Sequence, residues 1–251
     1  DNAATTRPSQ AVLEAVGESM GAEVFFNPSA VYKPAVAAAR RLEAARQLIA
    51  GRLQADQLIF TSGGTEANNL AILGHLTGLR RGGRVLYSMG EHPSVQAACE
   101  AAPAGFSAEG IPLEASGRVS LSALEGMLDE DTAMVCVMQV NNETGAIQPL
   151  QEVASLIRQK APGAWFHVDG VQGFLRVPVR MRDTRIDSYA LSGHKIHAPK
   201  GIGALALGGK KQLKARQVGG GQENGLRSGT ENTPGIAGLT AAVAGFPQDH
   251  A

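Results

Sequence analysis

The sequence predicts an α/β fold with a mostly parallel sheet and helices on both faces of that sheet. Short runs rich in apolar residues recur along the chain, and stretches with helical spacing fill several of the intervals between them. Strands that alternate with helices form crossover connections, which place the strands in parallel. Most of the residues that could carry chemistry follow directly after such a run, and ligands of these sheets bind at the carboxyl ends of the strands.

The individual elements follow from the same patterns. Strands are predicted over 58–61, 84–88, 134–139, 165–168, 188–191 and 204–207. Helices are predicted over 36–53, 65–81, 92–102, 120–128 and 150–160. A further helix near the N-terminus includes Glu14, Val16 and Met20. Ser120 and Ser122 are candidate N-caps, because a serine hydroxyl can accept a hydrogen bond from a free N–H group of the first turn.

Composition and charge narrow the class of protein. The 251 residues carry 23 basic and 23 acidic side chains, and this balance argues against a protein that mainly grips nucleic acid or anionic lipid. An apolar fraction of 43% with 18% charged residues is typical of a soluble globular domain. Two cysteines cannot build a disulfide framework, and no apolar run is long enough to span a membrane. We therefore expect a soluble, cytoplasmic protein, and Asp1 as first residue indicates a trimmed, processed or incomplete N-terminus.

The first chemically informative segment is 62–69, Ser-Gly-Gly-Thr-Glu-Ala-Asn-Asn, between a predicted strand and a predicted helix. Free N–H groups at a helix N-terminus, made accessible by glycine, bind anions, and the Thr65 hydroxyl adds a donor. The lysine of a P-loop and the spacing G-x-G-x-x-G are both missing, which disfavours a nucleoside triphosphate site. An ordinary turn between strand and helix explains the same residues equally well.

The second segment is His-Val-Asp-Gly-Val-Gln at 167–172, in which Asp169 ends a predicted strand. A carboxylate at the end of a buried strand needs a cation or hydrogen-bond donors. A protonated pyridine nitrogen would satisfy Asp169, and a role as cap of the next helix is the alternative.

The third and most specific segment is 192–203, Ser-Gly-His-Lys-Ile-His-Ala-Pro-Lys-Gly-Ile-Gly. Ser192 and His194 could donate to a phosphate, and Lys195 lies beside them at a predicted strand end. Partial burial would lower the pKa of Lys195 and make its amine nucleophilic. A solvated loop with ordinary lysines is the alternative, and it fits Lys200 better than Lys195.

A phosphate-binding turn, an aspartate for a ring nitrogen and a Schiff-base lysine, in this order, are typical of a pyridoxal 5'-phosphate (PLP) site. With these residues the chain resembles the cysteine desulfurase (NifS/IscS-like) family of the class V aminotransferase group, which are fold type I PLP enzymes. Further matching segments are 1–6 (DNAATT), 27–29 (NPS), 91–92 (EH), 140–145 (VNNETG), 219–223 (GGGQE) and 227–230 (RSGT). The resemblance implies a seven-stranded PLP-dependent transferase large domain over 15–251, an N-terminal segment 1–14, and a C-terminal small domain that this chain lacks.

The resemblance also implies a role for each matching residue. The residues implied to bind the cofactor are Gly64, Thr65, His92, Asn142, Asp169, Gln172, Ser192, His194, Lys195 and Thr230. Lys195 and His92 would be catalytic: Lys195 would hold the cofactor as a Schiff base and remove the α-proton, and His92 would stack on the ring and take part in proton transfers. Asp169 would keep the ring nitrogen protonated. Thr230 would reach the phosphate of the neighbouring subunit, which implies a homodimer.

The reaction implied by the resemblance converts L-cysteine to alanine and leaves a persulfide on an enzyme thiolate. An acceptor protein would then take the sulfur for iron–sulfur cluster or thio-cofactor synthesis. Neither Cys99, in a predicted helix, nor Cys136, in a predicted strand, matches the family's nucleophile, and both are expected to be buried. We therefore expect a fragment of a longer enzyme, with a natural short homologue as the alternative.

Other functions are compatible with the same residues. The chain could be a selenocysteine lyase or another class V PLP enzyme, or a non-catalytic homologue kept as a dimerisation scaffold. A metal site is disfavoured because His194 and His197 lack cysteine or carboxylate partners nearby in the sequence. Nucleic-acid binding is disfavoured because no basic stripe with interleaved aromatic residues is present.

Overall fold

A single sheet forms the centre of the fold in residues 1–22, 24–209 and 211–247, the part of the chain that the computed structural model describes. Its strands are β1 (Gln57–Thr61), β2 (Gly83–Ser88), β3 (Phe106–Ile111), β4 (Thr132–Cys136), β5 (Trp165–Asp169), β6 (Ser188–Ser192) and β7 (Gly203–Leu207). Their order across the sheet is β1-β7-β6-β5-β4-β2-β3. Strands β3, β2, β4, β5 and β6 are mutually parallel, and β7 runs antiparallel between β6 and β1. The predicted mostly parallel, seven-stranded sheet is confirmed.

Helices connect and cover these strands. They are α1 (Gln10–Ser19), α2 (Lys33–Leu53), α3 (Gly64–Leu76), α4 (Pro93–Glu100), α5 (Leu121–Met127), α6 (Leu150–Lys160), α7 (Met181–Thr184) and α8 (Thr233–Gly245). Helix α2 begins three residues before the predicted start, because a proline in the first turn needs no hydrogen-bond partner for its nitrogen. Ser120 is the N-cap of α5 and accepts a hydrogen bond from Ala123 N (3.3 Å), whereas Ser122 lies inside the helix.

Apolar side chains cover both faces of the sheet. Along β4 and the residues after it, Val135 and Val137 pack on one side, whereas Met134 and Cys136 pack on the other. Helices α2, α6 and α8 contribute to the first apolar layer, and α3 and α4 contribute to the second. Burial on both faces is typical of parallel strands, and it places the helices on both sides of the sheet as predicted.

Some elements differ from the sequence prediction. Strand β3 was not predicted, because its Ser107, Glu109 and Gly110 interrupt the apolar pattern at the edge of the sheet. Helix α8 was not predicted either, because nearly every position is apolar or small and no amphipathic periodicity marks it. The helix predicted over 65–81 ends at Leu76, where the Thr77 hydroxyl donates to the Leu73 carbonyl (2.6 Å).

The division of the chain into a segment 1–14 and a domain 15–251 stays a prediction. Residues 23, 210 and 248–251 of that domain lie outside the described residues. Among the described residues, no helix combines the length and the apolar character that crossing a membrane requires.

Candidate active site

A cleft of about 620 Å³ opens at the edge of the sheet where β1, β2, β4, β5 and β6 end. Because β7 lies antiparallel between β6 and β1, β1 is parallel to the other four, and all five carboxyl ends meet at this edge. The residues predicted to bind the cofactor that line the cleft are Gly64, Thr65, His92, Asn142, Asp169, Gln172, Ser192, His194 and Lys195. These nine residues come from five separate parts of the sequence and are brought to one place.

The N-terminus of α3 and the turn after β6 form one side of this cleft. Gly64 opens α3 at a point where a Cβ atom would lie 2.6 Å from Val171 Cγ2, so only glycine allows the helix to approach this closely. The free N–H groups and the dipole of a helix N-terminus attract an anion. Ser192 and His194 line the cleft beside Thr65 and add polar side chains. This set of donors suits a phosphate group.

Asp169, at the end of β5, is a buried carboxylate with only 5% of its surface exposed. Its Oδ1 accepts a hydrogen bond from Val171 N (2.9 Å), and its Oδ2 accepts one from Asn68 Nδ2 (2.8 Å). Burial raises the pKa of Asp169, and these hydrogen bonds oppose the increase. No ion pair compensates the carboxylate within the described part of the chain. A protonated ring nitrogen in the cleft would supply the missing positive charge.

Lys195 lies in a short 3-10 turn directly after β6. Its Nζ donates hydrogen bonds to the carbonyl oxygens of Ala3 and Ala4, the latter at 2.8 Å. Burial lowers the pKa of Lys195, the charge of Arg176 lowers it further, and the charge of Asp169 opposes both. A larger share of the amine is therefore neutral at physiological pH than for an exposed lysine, which suits a nucleophile or a base.

His92 is the N-cap residue of α4 and lines the cleft opposite these groups. Its Nδ1 accepts a hydrogen bond from Ser94 N (3.1 Å) and lies 2.8 Å from Ser94 Oγ. Because Nδ1 accepts the backbone hydrogen bond, the neutral ring carries its proton on Nε2. The ring is thereby fixed by its own helix while its second nitrogen stays able to donate.

Comparison with known proteins identifies the family of this chain. Residues 1–249 match the family model described as aminotransferase class-V. The chain belongs to the class-V aminotransferase family. A cysteine desulfurase of Nostoc sp. is 37% identical over 246 residues, which cover 97% of this chain and 61% of that protein. The chain thus spans about three fifths of the length of this relative.

Two solved structures of similar proteins support this family assignment. A NifS-like protein superimposes with a TM-score of 0.92 and 34% identity, covering 97% of this chain and 67% of the other. A structure described as SspA in complex with cysteine gives a TM-score of 0.92 and 36% identity, covering 98% of this chain and 72% of the other.

Class-V aminotransferases are PLP-dependent, and the cleft fits that group. Asp169 is a buried carboxylate without a cation, Gly64 begins a helix that has room for an anion, and Lys195 provides an amine of lowered pKa. These three features correspond to the ring nitrogen, the phosphate and the aldehyde of PLP.

Residues 1–6 of this class-V aminotransferase match the family's sequence, but their position in the cleft was not predicted. Asp1, Ala3 and Ala4 line the cleft, and the Ala3 carbonyl accepts hydrogen bonds from both Lys195 and Gln172. Backbone carbonyls carry no residue-type signal, so the sequence offered no way to assign them. The family resemblance implies that the Gln172 amide binds the 3-oxygen of the cofactor ring, and in the structure this amide donates to Ala3 O at 2.9 Å.

Thr230 is the one predicted cofactor residue that does not line the cleft, and it is exposed. It follows a loop, 217–229, that two ion pairs anchor to the domain. Glu223 pairs with Arg46 of α2 (2.7 Å), and Arg227 pairs with Glu66 of α3 (2.8 Å). The two ion pairs therefore hold the loop in place, and Thr230 lies directly after it on the protein surface.

Both cysteines are buried and free, as predicted. Their sulfur atoms lie 3.9 Å apart between α4 and β4, and burial raises the pKa of Cys136 well above the ordinary value of a thiol. Neither lines the cleft. A buried thiol of raised pKa is a poor nucleophile.

Glu91, next to His92, is a buried carboxyl group that sequence reasoning did not single out. Its Oε1 accepts a hydrogen bond from Met138 N (2.5 Å), and its Oε2 is buried without a hydrogen-bond partner among the described residues. Burial raises the pKa of Glu91 well above its ordinary value of 4.5, and repulsion by Asp169 raises it further. Glu91 therefore keeps its proton in the folded protein at a pH where the unfolded chain loses it.

We expect Glu91→Gln to remove part of the loss of stability on going from pH 5 to pH 8. In the original protein the folded state binds one more proton than the unfolded state above pH 4.5, so the free energy of unfolding falls as the pH rises toward the folded-state pKa. The glutamine keeps an oxygen for Met138 N and does not titrate. Urea unfolding at both pH values should show a smaller decrease in the variant than in the original protein.

The exposed Glu130 provides the control for this experiment, because Glu130→Gln also removes one carboxyl group. That variant should follow the pH dependence of the original protein. If Glu91→Gln follows it too, Glu91 is ionised in the folded state and the assignment of its proton is wrong.

Proposed function

We propose that this chain forms the cofactor-binding part of a cysteine desulfurase, which removes sulfur from L-cysteine and leaves alanine. The observation that carries the proposal is the placement of Asp169, a buried carboxylate without a cation, and Lys195 in one cleft beside the N-terminus of α3. The names of the similar proteins, cysteine desulfurase and SspA in complex with cysteine, support L-cysteine as the substrate. In this proposal the large domain spans 15–251 after the segment 1–14.

In this proposal, different residues of the cleft hold different parts of the cofactor. Gly64, Thr65, Ser192 and His194 bind the phosphate, and Asp169 holds a proton on the ring nitrogen. Gln172 and Asn142 lie on the remaining edge, toward the 3-oxygen and the substrate carboxylate. PLP, when bound, supplies an electron sink that makes the α-proton of an amino acid acidic.

Lys195 and His92 carry the proton transfers. Lys195 Nζ would hold the cofactor covalently, and as a free amine it would take the α-proton of a bound amino acid. The carbonyl oxygens of Ala3 and Ala4 hold the free amine at the edge of the cleft. His92 would lie beside the cofactor and donate through Nε2.

Sulfur transfer requires a thiolate that attacks the substrate sulfur, so that a sulfur–sulfur bond forms and the carbon–sulfur bond breaks. The electron pair of that bond returns to the substrate carbon, which takes up a proton as alanine forms. Cys99 and Cys136 are buried away from the cleft. We propose that the thiolate lies outside these 251 residues and that an acceptor protein passes the sulfur to iron–sulfur cluster or thio-cofactor synthesis.

We further propose that the protein is a cytoplasmic homodimer. The exposed Thr230, on its anchored loop, is available to reach the phosphate of a second copy. Two free cysteines 3.9 Å apart are consistent with a reducing compartment.

Lys195→Ala is expected to abolish covalent attachment of PLP. The original protein, mixed with PLP and passed through gel filtration, should keep a visible absorption band, and borohydride reduction followed by peptide mass spectrometry should locate the cofactor on Lys195. The alanine variant has no amine at this position, so it should show neither.

Lys200→Ala is the matched control, because Lys200 is an exposed lysine on the same loop. This control should retain the band and the labelled peptide. Failure of the original protein to take up PLP, or labelling of another lysine, would overturn the cofactor assignment. Failure of L-cysteine to change the visible absorption band of the PLP-loaded protein would overturn the choice of substrate only.

A further inference from the structure

A line of buried hydrogen bonds runs from behind the cleft to Asp169. Trp165 Nε1 donates to Ser188 Oγ (2.7 Å), and Ser188 Oγ lies 2.8 Å from His167 Nδ1. His167 Nε2 lies 3.0 Å from Asn68 Oδ1, and Asn68 Nδ2 donates to Asp169 Oδ2 (2.8 Å). All five side chains are buried, with exposed fractions of 5% or less.

The sheet itself produces this line. Trp165, His167 and Asp169 alternate along β5 and therefore lie on one face of the sheet. Ser188 of β6 is the register partner of His167 on the neighbouring parallel strand. Asn68, on the second turn of α3, packs over this face and closes the gap between His167 and Asp169.

The chemistry of the donors fixes the direction of each hydrogen bond. Trp165 Nε1 can only donate, so the Ser188 oxygen accepts from it. The Asp169 carboxylate can only accept, so the Asn68 amide turns its nitrogen to Asp169 and its oxygen to His167 Nε2, which therefore carries the proton and donates. Burial lowers the pKa of His167 to about 3, and a hydrogen bond to the Ser188 backbone only partly offsets this effect, so the ring is neutral and holds a single proton.

Both hydrogens of the Asn68 amide are then donated to side chains that line the cleft. One goes to Asp169 Oδ2, and the other goes to Ser94 Oγ (2.9 Å). Ser94 Oγ lies in turn 2.8 Å from Nδ1 of His92. Since Asn68 donates to the Ser94 oxygen, the Ser94 hydroxyl is free to donate to His92 Nδ1, which leaves the proton of His92 on Nε2.

On the basis of the function proposed above, we propose that Asn68 is a positioning residue, locked by His167, that orients two active-site groups at once: the Asp169 carboxylate and the His92 imidazole. Without His167, the buried Asn68 oxygen loses the donor that holds it, and only the contacts to Asp169 and Ser94 restrain the amide. The amide can then shift, and both groups lose their fixed geometry.

The first test uses the protein without cofactor and therefore does not depend on PLP binding. Nitrogen-15 NMR of the imidazole groups should show His167 protonated on Nε2 and unprotonated on Nδ1, without change between pH 5 and pH 9. His167 protonated on Nδ1 would overturn the proposal, because Nε2 would then oppose the Asn68 oxygen without a proton between them.

The second test compares substitutions of known hydrogen-bonding ability. His167→Gln places an amide nitrogen near the position of Nε2 and should retain most of the effect, whereas His167→Phe keeps the ring volume and donates nothing. The apparent Kd for PLP should rise about tenfold in His167→Phe, as for the loss of one hydrogen bond to a charged group. The midpoint of the pH titration of the Asp169 carboxyl, followed by carbon-13 NMR, should rise in the same variant and not in His167→Gln.

Asn68→Ala should show the same two changes and should also shift the nitrogen-15 signal of His92 Nδ1, because Ser94 Oγ loses the donor that orients it. Asn69→Ala, in the same helix, is the matched control, since among the described residues Asn69 Nδ2 donates to the Thr65 carbonyl alone (2.9 Å). If Asn68→Ala and Asn69→Ala behave alike in these spectra, Asn68 does not position either group. Failure of the original protein to bind PLP would refute the proposed function and leave the NMR result on the tautomer standing.

Discussion

Asp169→Asn is expected to slow the exchange of the α-proton of L-alanine in deuterated water by about 100- to 1,000-fold in the PLP-loaded protein. Asparagine keeps the shape of the side chain but has no charge to hold a proton on the ring nitrogen. Negative charge that develops at the α-carbon then has a weaker electron sink. L-alanine is the chosen substrate because exchange of its α-proton requires Lys195 to remove that proton but requires no sulfur transfer. Proton NMR follows the loss of the α-proton signal.

Asp131→Asn is the control, because Asp131 is an exposed carboxylate at the opposite end of β4 from the cleft. Its exchange rate should equal that of the original protein. PLP binding by Asp169→Asn must be measured separately, so that slow exchange is compared at equal occupancy. Equal rates for the two variants would contradict the role of Asp169.

Glu223→Ala is expected to lower the free energy of unfolding by about 3–5 kcal/mol. Glu223 is buried and binds Arg46 through two hydrogen bonds, at 2.7 and 2.9 Å, and its Oε2 also accepts from Phe60 N (2.8 Å). Its removal leaves the largely buried guanidinium with the exposed Glu43 (3.2 Å) as its remaining counter-charge among the described residues, and it leaves the Phe60 N–H without this acceptor. Urea unfolding gives the free energy, and the melting temperature should fall by roughly 10 °C.

The exposed pair Lys160–Glu125 serves as the comparison. Its charged atoms lie 3.5 Å apart, and the two side chains are 46% and 52% exposed. Water screens such a pair, so Glu125→Ala should change the free energy of unfolding by less than about 1 kcal/mol. A small and equal effect of both variants would mean that the Arg46–Glu223 pair does not anchor the 217–229 loop.

The parts of the fold that were predicted from sequence are those in which one local pattern decides the structure. The run 165–168 is apolar on both faces and became β5, and 150–160 has helical spacing and became α6 with the same bounds. Asp169 and Lys195 were found because parallel strands bring their carboxyl ends to one edge. The position of these residues along the chain was therefore enough to place them in one cleft.

Sequence patterns do not reach interactions that depend on backbone atoms or on distant pairs. Ala3 and Ala4 act through carbonyl oxygens, which every residue has, and Lys195 lies about 190 positions away in the chain. Asn68 was quoted as part of a phosphate-binding turn, but its amide faces His167, 99 positions later. Strand β3 was missed for a different reason: an edge strand keeps polar residues such as Glu109, which pairs with Arg84 of the next strand (2.7 Å).

The clasp between the N-terminal segment and the turn after β6 has a consequence for synthesis of the protein. The Thr6 hydroxyl donates to the carbonyl of His194, 188 positions away. The N-terminal side of the cleft is therefore synthesised well before the side that follows β6. At about 5–20 residues per second, roughly 10–40 s of translation separate the two. Sheet and helices between them can form in the meantime, whereas the cleft cannot. The two sides of the cleft can therefore meet only after residue 197 has emerged from the ribosome, so the binding site is completed late in synthesis.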